Sequence, residues 1–286
     1  MKLDINGIEV YWETHGDGEP LLWLHGGMGF GADWRHVLGD GGSWRPPSPS
    51  PPPGFQLIAP DLRGHGATTG GSSSFSFRQC ALDVLALLRH LNVPRVKAIG
   101  LSGGGIVLLH MATMNPASLR GAGAPGLEIE AMVVVSAPPY FPIEARAIMR
   151  QYSEAMISEA EMARMRQRHV RGEAQIKDLI AMVRGFADRY DDVSFTPPQL
   201  ATISAGRSSC SAIAIHCIPS RSASTCIARF RSRTCGWSPT AAMDRSSATP
   251  RRRSVARRSR SSAAGRSAGR AALKELRYMC AYARSC

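Results

Sequence analysis

The sequence predicts an α/β fold with a mostly parallel sheet, flanking helices and a helical insertion. Short apolar runs typical of buried strands recur at Leu21–Leu24, Phe55–Ala59 and Val96–Ile99. Polar loops and stretches with helical spacing separate these runs, and 286 residues are enough for one large α/β domain. Strands that alternate with helices form parallel sheets with right-handed crossovers.

The elements follow one another in an order that fits this class. Lys2–Ile5 and Ile8–Thr14 alternate around Asn6-Gly7, which predicts a β-hairpin at the start. Apolar residues recur with helical spacing between residues 77 and 91, and Ala131–Ser136 reads as a further buried strand. From Glu144 to Tyr190 the composition is almost continuously helical, and Pro197-Pro198 is expected to end this segment.

A glycine-flanked serine stands between a strand and a helix. Gly100-Leu101-Ser102-Gly103-Gly104 follows an apolar strand, and the helix-like run 106–114 follows at once. A serine at such a sharp turn is held in a strained backbone with its hydroxyl exposed above the sheet. The next amide, on Gly103, can donate to a developing oxyanion. The alternative is a glycine-rich turn with an idle serine.

Two further stretches stand in matching positions after predicted strands. Leu21–Gly27 ends in His25-Gly26-Gly27, and Gly27 is the candidate for a second oxyanion amide. Pro60–Gly66 follows the next strand with the sequence Pro-Asp-Leu-Arg-Gly-His-Gly. Over roughly residues 1–205 the chain resembles the α/β-hydrolase family, in its single-domain lipase-like, peptidase-like and haloperoxidase-like branch.

The resemblance implies a nucleophilic serine, an acyl-enzyme and a small ester, amide or related acyl substrate, without cofactor or metal. It implies a first core part at 1–138, a helical cap over the active site at 139–199 and an aberrant basic tail at 200–286. Ser102 is the catalytic candidate, Gly27 and Gly103 form the oxyanion hole, and His25, Gly26, Gly100 and Gly104 complete the motifs. The family also requires an Asp and then a His after the serine, and neither motif is present here.

Charge and cysteine are unevenly distributed along the chain. Of the net charge of +13, residues 206–286 supply 17 Lys+Arg against 2 Asp+Glu, and six of the seven cysteines lie there. The tail lacks interleaved aromatic residues and a binding fold, so no specific nucleic-acid partner is predicted. No Cys-x-x-Cys spacing indicates a zinc site. We expect a cytoplasmic protein without a membrane segment, because no signal-peptide pattern and no apolar run near 18 residues occurs.

The sequence of the basic tail is what we expect if the coding DNA is translated in the wrong reading frame from this point. When the last base of each codon is joined to the first two of the next, Ser208–Ser211 give four apolar residues, and the following codons allow Gly-Asp-x-Asp-x-Leu. Codons 239–244 can likewise read Asn-Gly-Gly-His-Gly. These sequences resemble the missing Asp and His motifs in the family's order. The sequence therefore predicts a frameshift near residue 205.

Three other functions stay open at this stage. The chain could be a non-catalytic product of a damaged gene, a cofactor-free haloperoxidase-like or perhydrolase-like enzyme, or a basic-tail nucleic-acid binder. The histidines outside the missing motif, among them His25, His65, His110, His169 and His216, are expected to be structural or exposed. The substrate's identity and the oligomeric state are not predicted.

Overall fold

The computed structural model describes residues 1–37, 50–71, 75–114 and 127–203, and the backbone of 213–216. Its seven strands form one sheet in the order β1-β2-β4-β3-β5-β6-β7. Strands β3 to β7 are parallel, and β1 and β2 add an antiparallel hairpin at one edge. The strands are β1 Lys2–Ile5, β2 Ile8–His15, β3 Glu19–Leu24, β4 Phe55–Pro60, β5 Arg95–Leu101, β6 Glu128–Val135 and β7 Ile213–His216.

The hairpin at the N-terminus turns where the sequence predicts it. Asn6 and Gly7 both have positive φ, 49° and 77°, as a two-residue type I′ turn requires. β2 then alternates between buried and partly buried residues, with Ile8, Val10 and Trp12 facing the core. The alternation fixes the register of this edge of the sheet.

Helices connect the parallel strands and build the main hydrophobic core on one face of the sheet. A 3₁₀ turn, Gly31–Asp33, and α1, Trp34–Val37, follow β3. α2, Phe77–His90, precedes β5, and α3, Gly103–Thr113, follows it. Both contribute fully buried side chains to the core that also holds alternate residues of β3, β5 and β6. Burial of each large aliphatic side chain contributes about 1.5–3 kcal/mol.

Residues 139–203, which we term the helical segment, follow β6. They form α4 Ile143–Gln151, a 3₁₀ turn Glu154–Met156, α5 Glu159–Arg168, α6 Glu173–Gly185 and α7 Pro197–Ala201. The helices are more broken than the composition predicts, because the Ser158 side chain caps α5 and Gly172 adopts φ 67° before α6. The expectation that Pro197-Pro198 end the segment is wrong. Proline is favoured in a first helical turn, and these two open α7.

A seventh strand comes from the basic tail. β7 pairs parallel to β6, in a register that runs from Met132 opposite Ile213 to Val135 opposite His216. The composition of the aberrant basic tail predicts little strand, and these four residues are the strand that the structure describes there. Isoleucine at alternate positions favours a strand, and β6 offers an apolar partner. Residues 204–212 and 217–286, with the codons considered for the shifted frame, lie outside the described residues.

In the described part of the chain, no helix combines the length and the apolar content that crossing a bilayer requires.

Candidate active site

Ser102 lies at a sharp turn between β5 and α3. Its backbone adopts φ 49° and ψ −113°, a conformation that non-glycine residues rarely take. The Ser102 N–H donates to the Val135 carbonyl of β6 at 2.7 Å, and the Ser102 carbonyl accepts from the Ile106 N–H at 3.1 Å. The residue is exposed, and its hydroxyl bonds to no described residue. The turn therefore presents a hydroxyl at the carboxyl edge of the sheet.

Glycines allow α3 to pack directly on the strands beneath it. A Cβ on Gly104 would collide with the Leu24 carbonyl at the end of β3, and one on Gly100 would collide with the Gly104 carbonyl. Any larger residue at either position would push the helix away from the sheet. The Gly-x-Ser-x-Gly spacing is thus a packing requirement of this turn.

The loop after β3 lies against the serine turn. A Cβ on Gly26 would be 3.4 Å from the Ser102 Cβ, and a Cβ on Gly103 would be 3.4 Å from the Gly27 nitrogen. Neither the Gly27 nor the Gly103 amide donates to another described residue. Two uncommitted N–H groups therefore lie on adjacent loops at the Ser102 turn.

His25 fixes the direction of the Gly27 amide. Its buried ring donates from Nδ1 to the Gly26 carbonyl at 2.7 Å, and its Nε2 accepts from the Leu62 N–H at 2.9 Å. The Gly29 N–H also donates to the Gly26 carbonyl, at 3.2 Å. The carbonyl and the following N–H of a trans peptide point in opposite directions. Anchoring the Gly26 carbonyl on the His25 side therefore turns the Gly27 N–H away from it.

Two more histidines hold Met28, the next residue of this loop. Met28 has a positive φ of 61°. Its N–H donates to His65 Nε2 at 3.2 Å, and its carbonyl accepts from His169 Nε2 at 3.1 Å. His65 Nδ1 donates to the Arg63 carbonyl at 3.0 Å, and His169 Nδ1 accepts from the Gly66 N–H at 3.1 Å. Both imidazoles are thus neutral and fixed in one tautomer.

The three rings are poor candidates for a base. Burial lowers the pKa of His25 well below its ordinary value, with a further contribution from His65. Burial likewise lowers the pKa of His65 and of His169 to about 4 each. Since both nitrogens of each ring are already bonded to backbone groups, none is left for Ser102. The expectation that these histidines are structural agrees with this geometry.

The side chains of His110 and Asp61 are also bound to backbone groups away from Ser102. His110 Nε2 donates to the Asp192 carbonyl at 2.7 Å, on the side of α3 that packs on the helical segment, and burial lowers its pKa. The Asp61 carboxylate accepts from the Gly31 N–H at 2.6 Å and the Ala67 N–H at 2.7 Å. Burial nevertheless raises the pKa of Asp61 to about 6. Neither side chain supplies a base for Ser102 or an acid to orient one.

The structure thus brings together all seven motif residues predicted from the sequence, but no triad Asp or His is found among the described side chains. The one histidine of the tail is His216. Its backbone lies opposite Val135, the residue whose carbonyl accepts from the Ser102 N–H. Within the described residues, no three His, Cys, Asp or Glu side chains are arranged to hold a metal ion.

Sequence reasoning missed the link between His169 and Met28. The two residues are 141 positions apart, and the acceptor is a backbone carbonyl. No side-chain pattern in the sequence reports such a contact. A histidine directly after a helix, as His169 is after α5, is the local feature there, and many surface helices share it.

Comparison with known proteins gives related chains of several activities. The chain is 36% identical over 111 residues to a soluble epoxide hydrolase from Corynebacterium sp. (strain C12), which is 39% of this chain and 35% of that one. It is 28% identical over 118 residues to the non-heme chloroperoxidase CPO-A1 from Kitasatospora aureofaciens, 41% of this chain and 40% of that one. The chain therefore spans little more than a third of these relatives.

A solved esterase from Thermogutta terrifontis, with malate bound, aligns at a TM-score of 0.48 and 20% identity, over 75% of this chain and 87% of that chain. The family comparison matches residues 19–158, the stretch from β3 into the helical segment, to the alpha/beta hydrolase fold. This stretch holds Ser102, Gly27 and Gly103. This match to the α/β-hydrolase family covers just under half of the chain.

Proposed function

We propose that Ser102 is the nucleophile of a serine hydrolase that acts on a small ester, amide or related acyl compound. One observation carries the proposal: two uncommitted amides, those of Gly27 and Gly103, lie on adjacent loops at the strained turn that exposes the hydroxyl. Preorganised donors of this kind stabilise the negative charge that develops on a carbonyl oxygen. The same pair of amides has no comparable use in a merely structural turn.

The reaction follows from this arrangement. The Ser102 oxygen attacks the acyl carbon, a base takes the hydroxyl proton, and the carbonyl oxygen becomes an anion between the two amides. The C–O or C–N bond to the leaving group then breaks, which gives an acyl-enzyme. Water attacks the same carbon with the base again taking a proton, and the acid product leaves. The Gly103 amide begins α3, whose dipole favours the anion.

A serine nucleophile suits acyl substrates better than the epoxides that the names of some relatives indicate. A hydroxyl that opened an epoxide would form an alkyl ether with the protein. An ether has no carbonyl carbon for water to attack, so the enzyme would stop after one turnover. An acyl-serine is an ester, which the same oxyanion site helps to hydrolyse. We therefore assign the chain to acyl transfer.

We further propose that residues 139–199 act as a cap over this site and restrict it to small substrates. Contacts between the helical segment and the loop after β3 support this. The Tyr152 hydroxyl donates to the Met28 Sδ at 3.4 Å, and His169 donates to the Met28 carbonyl. Met162, Met165 and Met182 are buried in the core, so methionine packs the segment at those positions.

The chain as written should have little activity, because no described side chain serves as the base. We propose that a frameshift near residue 205 removed the Asp and His motifs. The alternative that this absence favours is a non-catalytic product of a damaged gene. A triad without its base retains only about 10³–10⁴-fold acceleration over water, from the oxyanion hole and binding.

The test is a paired assay on a short-chain aryl ester. Both the chain as written and a version with the frame restored near codon 205 are expressed alike, each with a Ser102→Ala control. We expect turnover only in the restored version, and only with Ser102 intact. Turnover at ordinary enzyme rates by the chain as written, abolished by Ser102→Ala, would reveal a base in the tail. Sequencing the DNA around codon 205 checks the frame independently.

A further inference from the structure

His169 joins three separate parts of the chain through one ring. It follows α5 in the helical segment, and only 1% of it is exposed. Its Nε2 donates to the Met28 carbonyl, in the loop after β3. Its Nδ1 accepts from the Gly66 N–H, in the loop after β4. A neutral imidazole has one donor and one acceptor, and here both are used.

Met28 depends on these bonds for its conformation. A non-glycine residue at φ 61° lies in a sparsely populated region and keeps it only when its surroundings enforce it. The Met28 N–H is held by His65 and its carbonyl by His169, so both polar backbone groups are bound to imidazoles. Met28 directly follows Gly27, and a change in its backbone would shift the loop that carries the Gly27 amide.

We propose that His169 is a positioning residue, which holds Met28 and through it the Gly27 amide in the geometry that the Ser102 reaction needs. The seating of the helical segment is thereby coupled to the oxyanion site. The inference rests on the proposed function, since it treats the Gly27 amide as an oxyanion donor. His169 itself touches no reacting atom.

The rival explanation is that His169 only fastens the helical segment to the core. Another buried side chain of the segment does that without touching Met28. Gln175 donates from Nε2 to the Gly64 carbonyl at 2.9 Å and to the Gly66 carbonyl at 3.0 Å. Gln175→Leu is therefore the matched control, because it removes bonds to the same loop after β4 and leaves the loop after β3 alone.

Two variants of His169 separate the proposal from that rival. His169→Phe fills the site and removes both hydrogen bonds. His169→Gln keeps an N–H at a similar reach, so it can still donate to the Met28 carbonyl. The charged and titratable groups that act on His169 remain in every variant; they are His25, His65, Glu161, Arg168 and Arg171.

The first measurement does not depend on activity. Amide hydrogen exchange of residues 26–29 is compared among the full-length variants, with exchange in β5 as reference. We expect His169→Phe to speed exchange in this loop by about tenfold or more, while Gln175→Leu leaves it near the unsubstituted rate. Equal effects of the two variants would overturn the proposal. If His169→Phe does not fold, the decision rests on His169→Gln. Exchange of residues 26–29 that is faster than in Gln175→Leu supports the proposal, and exchange at the same rate refutes it.

The second measurement follows acylation of Ser102 by p-nitrophenyl acetate, read as intact mass against a Ser102→Ala blank. Loss of one oxyanion donor slows such steps by about 10²–10³-fold. We expect at least a tenfold loss in His169→Phe beyond that in Gln175→Leu, and partial rescue in His169→Gln. Equal losses in His169→Phe and Gln175→Leu would count against the proposal. If neither the chain as written nor the version with the restored frame is acylated at Ser102, the proposed function fails, and the exchange data still decide the role of His169.

Discussion

The two faces of the sheet are covered to different extents. On one face, Leu22, Leu24, Ala98 and Val134 are buried beneath α2, α3 and the helical segment. On the other, Trp34 covers Leu21, Trp23 and Leu57 at the β3–β4 end. Further along that second face, Ile99, Leu101, Val133 and Val135 are only partly buried.

The difference follows the order of the chain. Within the described residues, every element that covers the first face comes from residues before 204. The half-covered stretch lies on β5 and β6, beside β7, where the basic tail enters the sheet. This asymmetry is what we expect if the residues that should complete the second face were replaced by a shifted reading frame.

Truncation of one apolar side chain on each face should give the largest contrast in the free energy of unfolding. Leu24→Ala removes a fully buried side chain and should lower the free energy of unfolding by about 2–5 kcal/mol. Val133→Ala, on the half-covered face of β6, should cost less than about 1 kcal/mol, because less contact is lost. Denaturant unfolding of both variants measures the contrast. Similar losses would mean that the second face is packed as tightly as the first.

Acid should destabilise the covered side through its buried histidines. The folded-state pKa of His65 and of His169 is about 4, below the ordinary 6.5. Stability from their neutral forms is present above pH 6.5 and is lost as the pH falls through about 4, by a few kcal/mol in total. Asp61 acts in the opposite sense, because its pKa is raised to about 6 and its contribution is lost as the pH rises through that value.

This pH dependence is checked by urea unfolding at pH 7 and at pH 4.5. The unfolding midpoint of the unsubstituted chain should drop at the lower pH. His169→Phe should show a smaller drop, since one of the depressed groups is gone. An unchanged midpoint between the two pH values would contradict the burial of these rings as neutral species.

Restoring the frame should reduce the apolar surface of the second face. If the restored residues complete that face, binding of the dye ANS should fall about several-fold relative to the chain as written. The tendency to aggregate should fall with it. Val133→Asp in the chain as written is the matched control, because it lowers the apolarity of the face without adding chain. ANS binding that does not change on restoration would argue against an incomplete second face.

The smallest effect concerns the tail. The tail holds 17 Lys+Arg and only 2 Asp+Glu, and this positive charge should give weak binding to nucleic acid, without preference for sequence. The apparent affinity should fall steeply between about 50 and 200 mM salt. Fluorescence anisotropy with two unrelated DNA duplexes, and with a chain ending at residue 205 as blank, measures this. Tight and salt-insensitive binding would favour the binder hypothesis instead.

The sequence predicted best what is decided locally. The Asn6-Gly7 turn and the Gly100–Gly104 turn each depend on the backbone of a few adjacent residues, and both form where their residues indicate. The family motifs also led to His25 and Gly27. Contacts between distant backbone groups, such as His169 to Met28, left no such mark. β7 was missed because four residues with alternating isoleucine are too short a signal within a basic, serine-rich stretch.

The exposure of Ser102 has a consequence for chemical rescue. Every histidine ring near the loops around it is committed to backbone groups, so the chain's described side chains leave the place of the base open. A small diffusible base can approach a hydroxyl that is open to solvent. Added imidazole should therefore accelerate acylation of Ser102 in proportion to its concentration, and the bulkier 2-methylimidazole should do so less. Ser102 and the two amides would then act as nucleophile and oxyanion hole with a base supplied by the solution.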